Sequence, residues 1–190
     1  VDFSNSKWTA LRSVVASHLD AFCFDLKQLT GVRPEALPGL DVAFDIKPMP
    51  GMEGKTVFQK DRPYSKAERL AMDEYYGELR DLDLIRPAPA GAQNALQTVV
   101  APKKDDHGGW SATRVCTNTV PLNLITTLEH WQTETLETIF RRLEGSTLFT
   151  KIDCRSGFHQ LPLTPRSRDY LTFWWNGGLW QWQRMPFGPK

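Results

Sequence analysis

Cysteine is scarce in this chain: Cys23, Cys116 and Cys154 are far apart and odd in number, with no CxxC or Cys/His spacing. That argues against a disulfide framework and a zinc site, and it suits a reducing intracellular compartment. Long apolar runs are also missing. None approaches the roughly 20 residues that span a bilayer, and the N-terminus lacks the basic-then-apolar layout of a signal peptide, so a soluble chain without membrane contact is expected. Internal repeats and low-complexity tracts are absent. Neither sign of charge dominates, since 23 Lys and Arg face 22 Asp and Glu for a formal +1. The balance hides an asymmetry: residues 151–190 hold six basic side chains and two acids, a net +4, which leaves −3 on residues 1–150. A basic C-terminal segment favours a polyanionic neighbour, although a solvated face of mixed sign has the same composition.

What is present is ordinary globular material. With 190 residues, 41% hydrophobic and 24% charged, the chain can build one core with an appended arm. Trp8, Leu11, Val14, Val15, His18, Leu19 and Phe22 recur at helical spacing, which predicts an amphipathic helix capped near Ser4 to Ser6. Five of the thirteen prolines then fall between residues 31 and 64 (Pro34, Pro38, Pro48, Pro50, Pro63), interleaved with glycines, and predict an extended arm rather than core. A second helix begins at Ser65, where Ser65 and Glu68 form a capping box. It carries Ala67, Leu70, Ala71, Tyr75, Leu79 and Leu82 on one face and ends before Pro87. "ALQTVVAP" and "TRVCT" read as paired strands, with Lys103 and Lys104 at the mouth of the hairpin. "TETLETIFRRLEG" is a helix stopped by Gly145, and "YLTFWWNGGLWQWQR" is a hairpin turning at Asn176-Gly177.

Between these last two lies "STLFTKIDCRSGFHQ". Its alternation predicts a strand over residues 146–153, with Phe149, Lys151 and Asp153 on one side. An aspartate at a strand end is a rigid hard-oxygen ligand of the kind that phosphoryl transfer with two metal ions requires. A lone Asp before a turn is also a common cap. Spacing alone leaves both open.

"FTKIDCRSGFHQLPL" followed by "WQRMPFG" closely resembles the start of the palm in reverse transcriptases of gypsy-type long-terminal-repeat retrotransposons. "RPYSKAERLAMDEYYGELRDLDLIRP", "VVAPKKDD" and "RVCTNTVPLN" resemble that family's finger segments, in the same order. The resemblance is clear from Arg62 to Gly188 and fainter from Val14 to Asp61. It implies an α+β right-hand polymerase fold: an N-terminal helix and Pro-rich arm at residues 1–61, a fingers-like region at 62–145, and an incomplete palm at 146–190. By resemblance, Asp153 is the first catalytic, Mg2+-binding carboxylate. Lys103 or Lys104, with Arg114, grips the triphosphate of an incoming dNTP, and Phe158 lies against its sugar. Phe187 and Gly188, within Met185 to Gly188, line the nucleotide pocket. The implied partners are an RNA or DNA template-primer and a dNTP. Trp174, Trp175, Trp180 and Trp182 suit either core packing or base stacking.

The chain also departs from the family. Where the family usually has "CVDYRALN", it reads "CTNTVPLN", with Asn118 and Val120 in place of an Asp and an Arg. The Tyr-x-Asp-Asp turn that supplies the family's other metal carboxylates is not among these residues. The sequence therefore implies a fragment of an RNA-directed DNA polymerase that is inactive alone. The alternative is a repurposed nucleic-acid-binding or structural subunit of a larger assembly.

Overall fold

In the computed structural model of the chain, residues 6–23, 26–28, 42–104, 107–109, 112–128 and 132–190 are described. The first helix, α1 (Ser6–Ser17), is followed by a short 3-10 turn over Leu19–Ala21. It has Trp8, Leu11 and Val15 half-buried, whereas Val14, Leu19 and Phe22 are exposed. Of the cap expected near Ser4 to Ser6, Ser4 and Asn5 lie outside the described residues, and Ser6 is the first residue of α1.

Helix α2 (Lys66–Asp81) starts where the capping box places it. The Glu68 amide donates to Ser65 Oγ at 3.2 Å, and the Ser65 amide donates to Glu68 Oε2 at 2.8 Å. That amide, with the Arg62 guanidinium 2.9 Å from Oε1, pulls the Glu68 carboxyl down to about 2, so the box stays ionised. At the other end Asp83 takes a left-handed conformation (φ 58°), and the Leu84 amide reaches back to the Leu79 carbonyl at 2.9 Å. This closes the last turn as a C-terminal glycine often does.

Two small sheets flank α2. One has the order β1-β5-β4, from β1 (Ile85–Pro87), β4 (Thr172–Trp175) and β5 (Gly178–Trp182), all antiparallel. The other is the ribbon of β2 (Thr98–Lys103) with β3 (Ala112–Thr117), in the register Thr98 to Thr117 through Lys103 to Ala112. Asn176 and Gly177 both have positive φ, 51° and 70°, as a two-residue hairpin turn between β4 and β5 demands. Leu96 joins the two sheets by accepting from the Trp174 amide at 3.1 Å and donating to Thr172 O at 2.8 Å.

The core centres on Tyr76 of α2, which is fully buried. Its ring lies 4.7 Å from Phe173, 5.5 Å from Trp175 and 6.4 Å from Trp182. Its hydroxyl pairs with Thr98 Oγ1 at 2.9 Å, and Trp182 Nε1 donates to Thr117 Oγ1 at 3.0 Å. The polar ends of Tyr76 and Trp182 are thereby satisfied on the ribbon. Trp175 and Trp182 are core residues, while Trp174 and Trp180 are half-buried.

Two expectations are corrected. The proline-rich stretch is irregular, but from residue 42 onward it is laid into the body: Ile46 and Val57 are buried, and bridges pair Phe44 with Leu163 and Pro48 with Thr126. Asp45 accepts from Thr164 and Arg166, and the Ile46 amide donates to Ser167 Oγ at 2.7 Å, which fastens this stretch to α5 (Pro165–Tyr170). The strand expected over residues 146–153 does not form; the segment has no ladder, and Leu148, Phe149 and Ile152 are exposed. A strand exists only through a hydrogen-bonded neighbour, and among the described residues this segment has none. The apolar face of the helix before it, α4 (Leu136–Leu143), is likewise exposed at Leu136, Ile139, Phe140 and Leu143.

Tyr76→Phe removes one hydrogen bond at the centre of this core and leaves the buried Thr98 hydroxyl with only a 3.4 Å contact to Trp174 O. The expected cost is about 1–2 kcal/mol, read as a lower urea midpoint at unchanged slope.

Candidate functional site

The sequence following Asp153 builds a compact turn. Ser156 adopts a left-handed backbone (φ 46°), and residues 157–160 form a single 3-10 turn tied back by Gln160 Nε2 to Arg155 O at 2.8 Å. The turn sends Phe158 outward and His159 inward. Phe158 is 44% exposed, and its ring meets that of Phe187, 50% exposed, edge-to-face at 5.1 Å. Phe158 and Phe187, with Cys154, Ser156, Gly157 and Leu161, line an open apolar hollow of about 400 Å³. Phe158 and Phe187, picked separately from the sequence, are therefore brought together, one residue from Gly188.

His159, which sequence reasoning passed over, anchors this pair. It is 3% exposed, stacks on Trp182 at 5.4 Å and touches the Phe187 ring edge-on at 5.5 Å. Its Nδ1 lies 2.9 Å from Met185 O, so that nitrogen carries the proton and donates. Burial holds its pKa below the ordinary 6.5, which keeps the ring neutral. Nothing in "GFHQLP" marks the histidine as buried, because the signal is its contact with Trp182, 23 positions along the chain.

Asp153 is exposed and makes no hydrogen bond or ion pair with any described residue. Its neighbours Lys151 and Arg155 are exposed too. No group of three or more His, Cys, Asp or Glu side chains that could hold a metal ion occurs among the described residues. Asp153 thus offers one hard oxygen ligand where two divalent ions need several. The residues described do not by themselves fit a Mg2+ centre.

The three cations singled out from the sequence lie on or beside the ribbon. Lys103 ends β2, Lys104 follows it, and Arg114 lies on β3 opposite Ala101. Residues 101 and 103 share a face, and opposed residues project to the same side, so Lys103 and Arg114 are diagonal neighbours on one face of the ribbon. All three cations are exposed. The structure therefore gathers two pairs, Phe158 with Phe187 and Lys103 with Arg114, and makes no contact between either pair and Asp153. Asn118, at the position where the family usually has Asp, accepts from the Val120 amide at 3.2 Å and acts as a local turn cap.

Because Asp153 is unpaired and exposed, Asp153→Asn should change stability by less than about 0.5 kcal/mol, as for surface substitutions generally. Urea unfolding of the two forms checks this, and a buried structural cap would instead cost about 1–3 kcal/mol.

No protein-family model matches the chain. It is 28% identical over 132 residues to the retrovirus-related Pol polyprotein from transposon 297 of Drosophila melanogaster, covering 70% of this chain and 12% of that protein. It is 26% identical over 136 residues to the enzymatic polyprotein of cauliflower mosaic virus, covering 72% of this chain and 20% of the relative. It is 32% identical over 122 residues to the genome polyprotein of petunia vein clearing virus, covering 64% and 5%. The chain thus spans a fifth or less of the length of these relatives. Among solved structures, it matches a foamy viral protease-reverse transcriptase in complex with an RNA/DNA hybrid with a TM-score of 0.68 at 16% identity, covering 97% of this chain and 23% of that one. It matches the prototype foamy virus protease-reverse transcriptase with a TM-score of 0.66 at 18% identity, covering 96% and 22%. This mixed helix-and-strand chain therefore has retrotransposon and viral polyproteins as relatives, and it shares its fold with part of a foamy virus protease-reverse transcriptase.

Proposed function

We propose that this chain is the fingers and first part of the palm of a retroelement RNA-directed DNA polymerase, of the gypsy type. The observation that carries the reading is the solvent-facing pair of Phe158, five residues after Asp153 in sequence, and Phe187, in a chain that matches a protease-reverse transcriptase structure over 97% of its own length. In this reading a template-primer lies along the basic C-terminal segment. An incoming dNTP sits against Phe158, with Phe187 and Gly188 lining its pocket, while Lys103 or Lys104 and Arg114 neutralise the triphosphate. Arginine's planar fork and lysine's mobile point charge suit that task.

Bound Mg2+ would supply charge neutralisation at the reacting phosphate, with Asp153 as one ligand. No catalytic step is assigned to this chain alone, because one carboxylate leaves the ions under-coordinated. A second reading, a structural or nucleic-acid-binding subunit of a larger assembly, has an observation of its own. Every residue from 132 to 155 is exposed, including the apolar side of α4 and Phe149 and Ile152, and surfaces of this kind mark contact with another polypeptide.

The test is binding of an RNA/DNA hybrid to the 190-residue chain, followed by fluorescence anisotropy in rising salt. Affinity should be measurable at about 50 mM salt and fall by at least tenfold by about 200 mM, as counterion release at several phosphates requires. Primer extension with Mg2+ or Mn2+ should be undetectable. Binding indifferent to salt, or absent at low salt, would count against the reading.

A further inference from the structure

The segment that carries Phe187 is held at both ends by contacts of different kinds. At its start, the Met185 amide donates to Leu161 O at 3.0 Å, and His159 holds Met185 O, both within the buried interior. At its far end the holder is Asn123, the last residue of the short helix α3 (Val120–Asn123). Asn123 Nδ2 donates to Gly188 O at 2.9 Å, and Asn123 Oδ1 accepts from the Lys190 amide at 3.0 Å. A C=O and an N–H two residues apart are the pair that a residue of a parallel neighbouring strand would engage. The carboxamide takes that strand's place, with both its donor and its acceptor used.

Beside this clamp, Gly188 has φ 112°, and a β-carbon built on it would lie 2.6 Å from Thr119 Oγ1. Thr119, 4% exposed, therefore forms a wall against which only glycine fits.

We propose that Asn123, backed by Thr119, is a positioning residue that fixes the backbone of residues 188–190 and so holds the Phe187 ring against Phe158. The inference rests on the reading of this face as the nucleotide and template-primer surface. Its distinguishing feature is that the clamp is peripheral to the core. Both Asn123 hydrogen bonds are solvent-exposed, as are Phe187 and Gly188, so removing the carboxamide takes little from the buried interior. What it removes is the fixed direction of Phe187, and with it the shape of the hollow shared with Cys154, Gly157 and Leu161. The carboxamide needs both ends: aspartate keeps an acceptor for the Lys190 amide but sets a carboxylate oxygen against Gly188 O.

The experiment uses the 190-residue chain with fluorinated phenylalanine, as wild type, Asn123→Ala and Asn123→Asp. Three quantities are read: the melting temperature, the fluorine resonance of Phe187, and the affinity for an RNA/DNA hybrid at low salt. The expected result for Asn123→Ala is a melting temperature within about 2 °C of wild type, with the Phe187 resonance moved toward the solvent-averaged position. Hybrid affinity should fall roughly fivefold, the worth of one positioned hydrogen bond. Asn123→Asp should behave like Asn123→Ala at Phe187. An unmoved Phe187 resonance in both variants overturns the proposal. So does a variant that melts far below wild type or does not fold, since that makes Asn123 a structural residue. A wild-type chain that fails to bind the hybrid defeats the functional reading instead, and the Phe187 resonance still decides on the clamp.

Discussion

Helix, sheet and ribbon meet at one buried hydrogen bond, between the Tyr76 hydroxyl and Thr98 Oγ1, reinforced by the Trp182–Thr117 bond and by the Leu96 backbone between sheet and ribbon. Tyr76 belongs to α2, its ring stacks on β4 and β5 through Phe173, Trp175 and Trp182, and its hydroxyl ends on the ribbon. Burial pushes the phenol's pKa up, so it remains protonated and able to donate. The Tyr64 hydroxyl completes the arrangement by bonding both backbone groups of Thr98, at 3.1 and 3.2 Å. With helix, sheet and ribbon fixed in this way, the ribbon's cations and the β5 end that leads to Met185 and Phe187 have defined places relative to one core.

Local chemistry was legible in the sequence, and non-local chemistry was not. The capping box at Ser65 and Glu68 and the Asn176-Gly177 turn are decided by residues within three positions of each other, and both stand where their pattern puts them. The strand expected before Asp153 depended on a neighbour that alternation cannot supply. The burial of Ile46 was hidden for the same reason: its amide is satisfied by Ser167, 121 positions away. Proline spacing correctly gave an irregular path for residues 42–64 but carried no information about what that path lies against.

The site divides along the same line. Motif resemblance picked Phe158 and Phe187, and the structure sets them ring to ring. The groups that hold them, His159 from inside and Asn123 from the rim, have no local signature, since each acts on backbone atoms many positions distant. Asp153 stands apart from both: it is an exposed carboxylate on a segment whose apolar side chains are uncovered. The described residues therefore present a shaped aromatic surface and a cationic ribbon without an assembled metal centre.

Photocrosslinking decides whether the proposed surface receives nucleic acid. An RNA/DNA hybrid carrying a photoreactive base at the primer end would be irradiated on the chain and the adducts mapped by mass spectrometry. Adducts are expected within residues 154–161 and 185–190, with backbone-proximal ones on the β2-β3 ribbon. Adducts confined to the groove of Arg62, Tyr64 and Trp174 at the opposite hairpin turn, or to α1, would contradict that expectation.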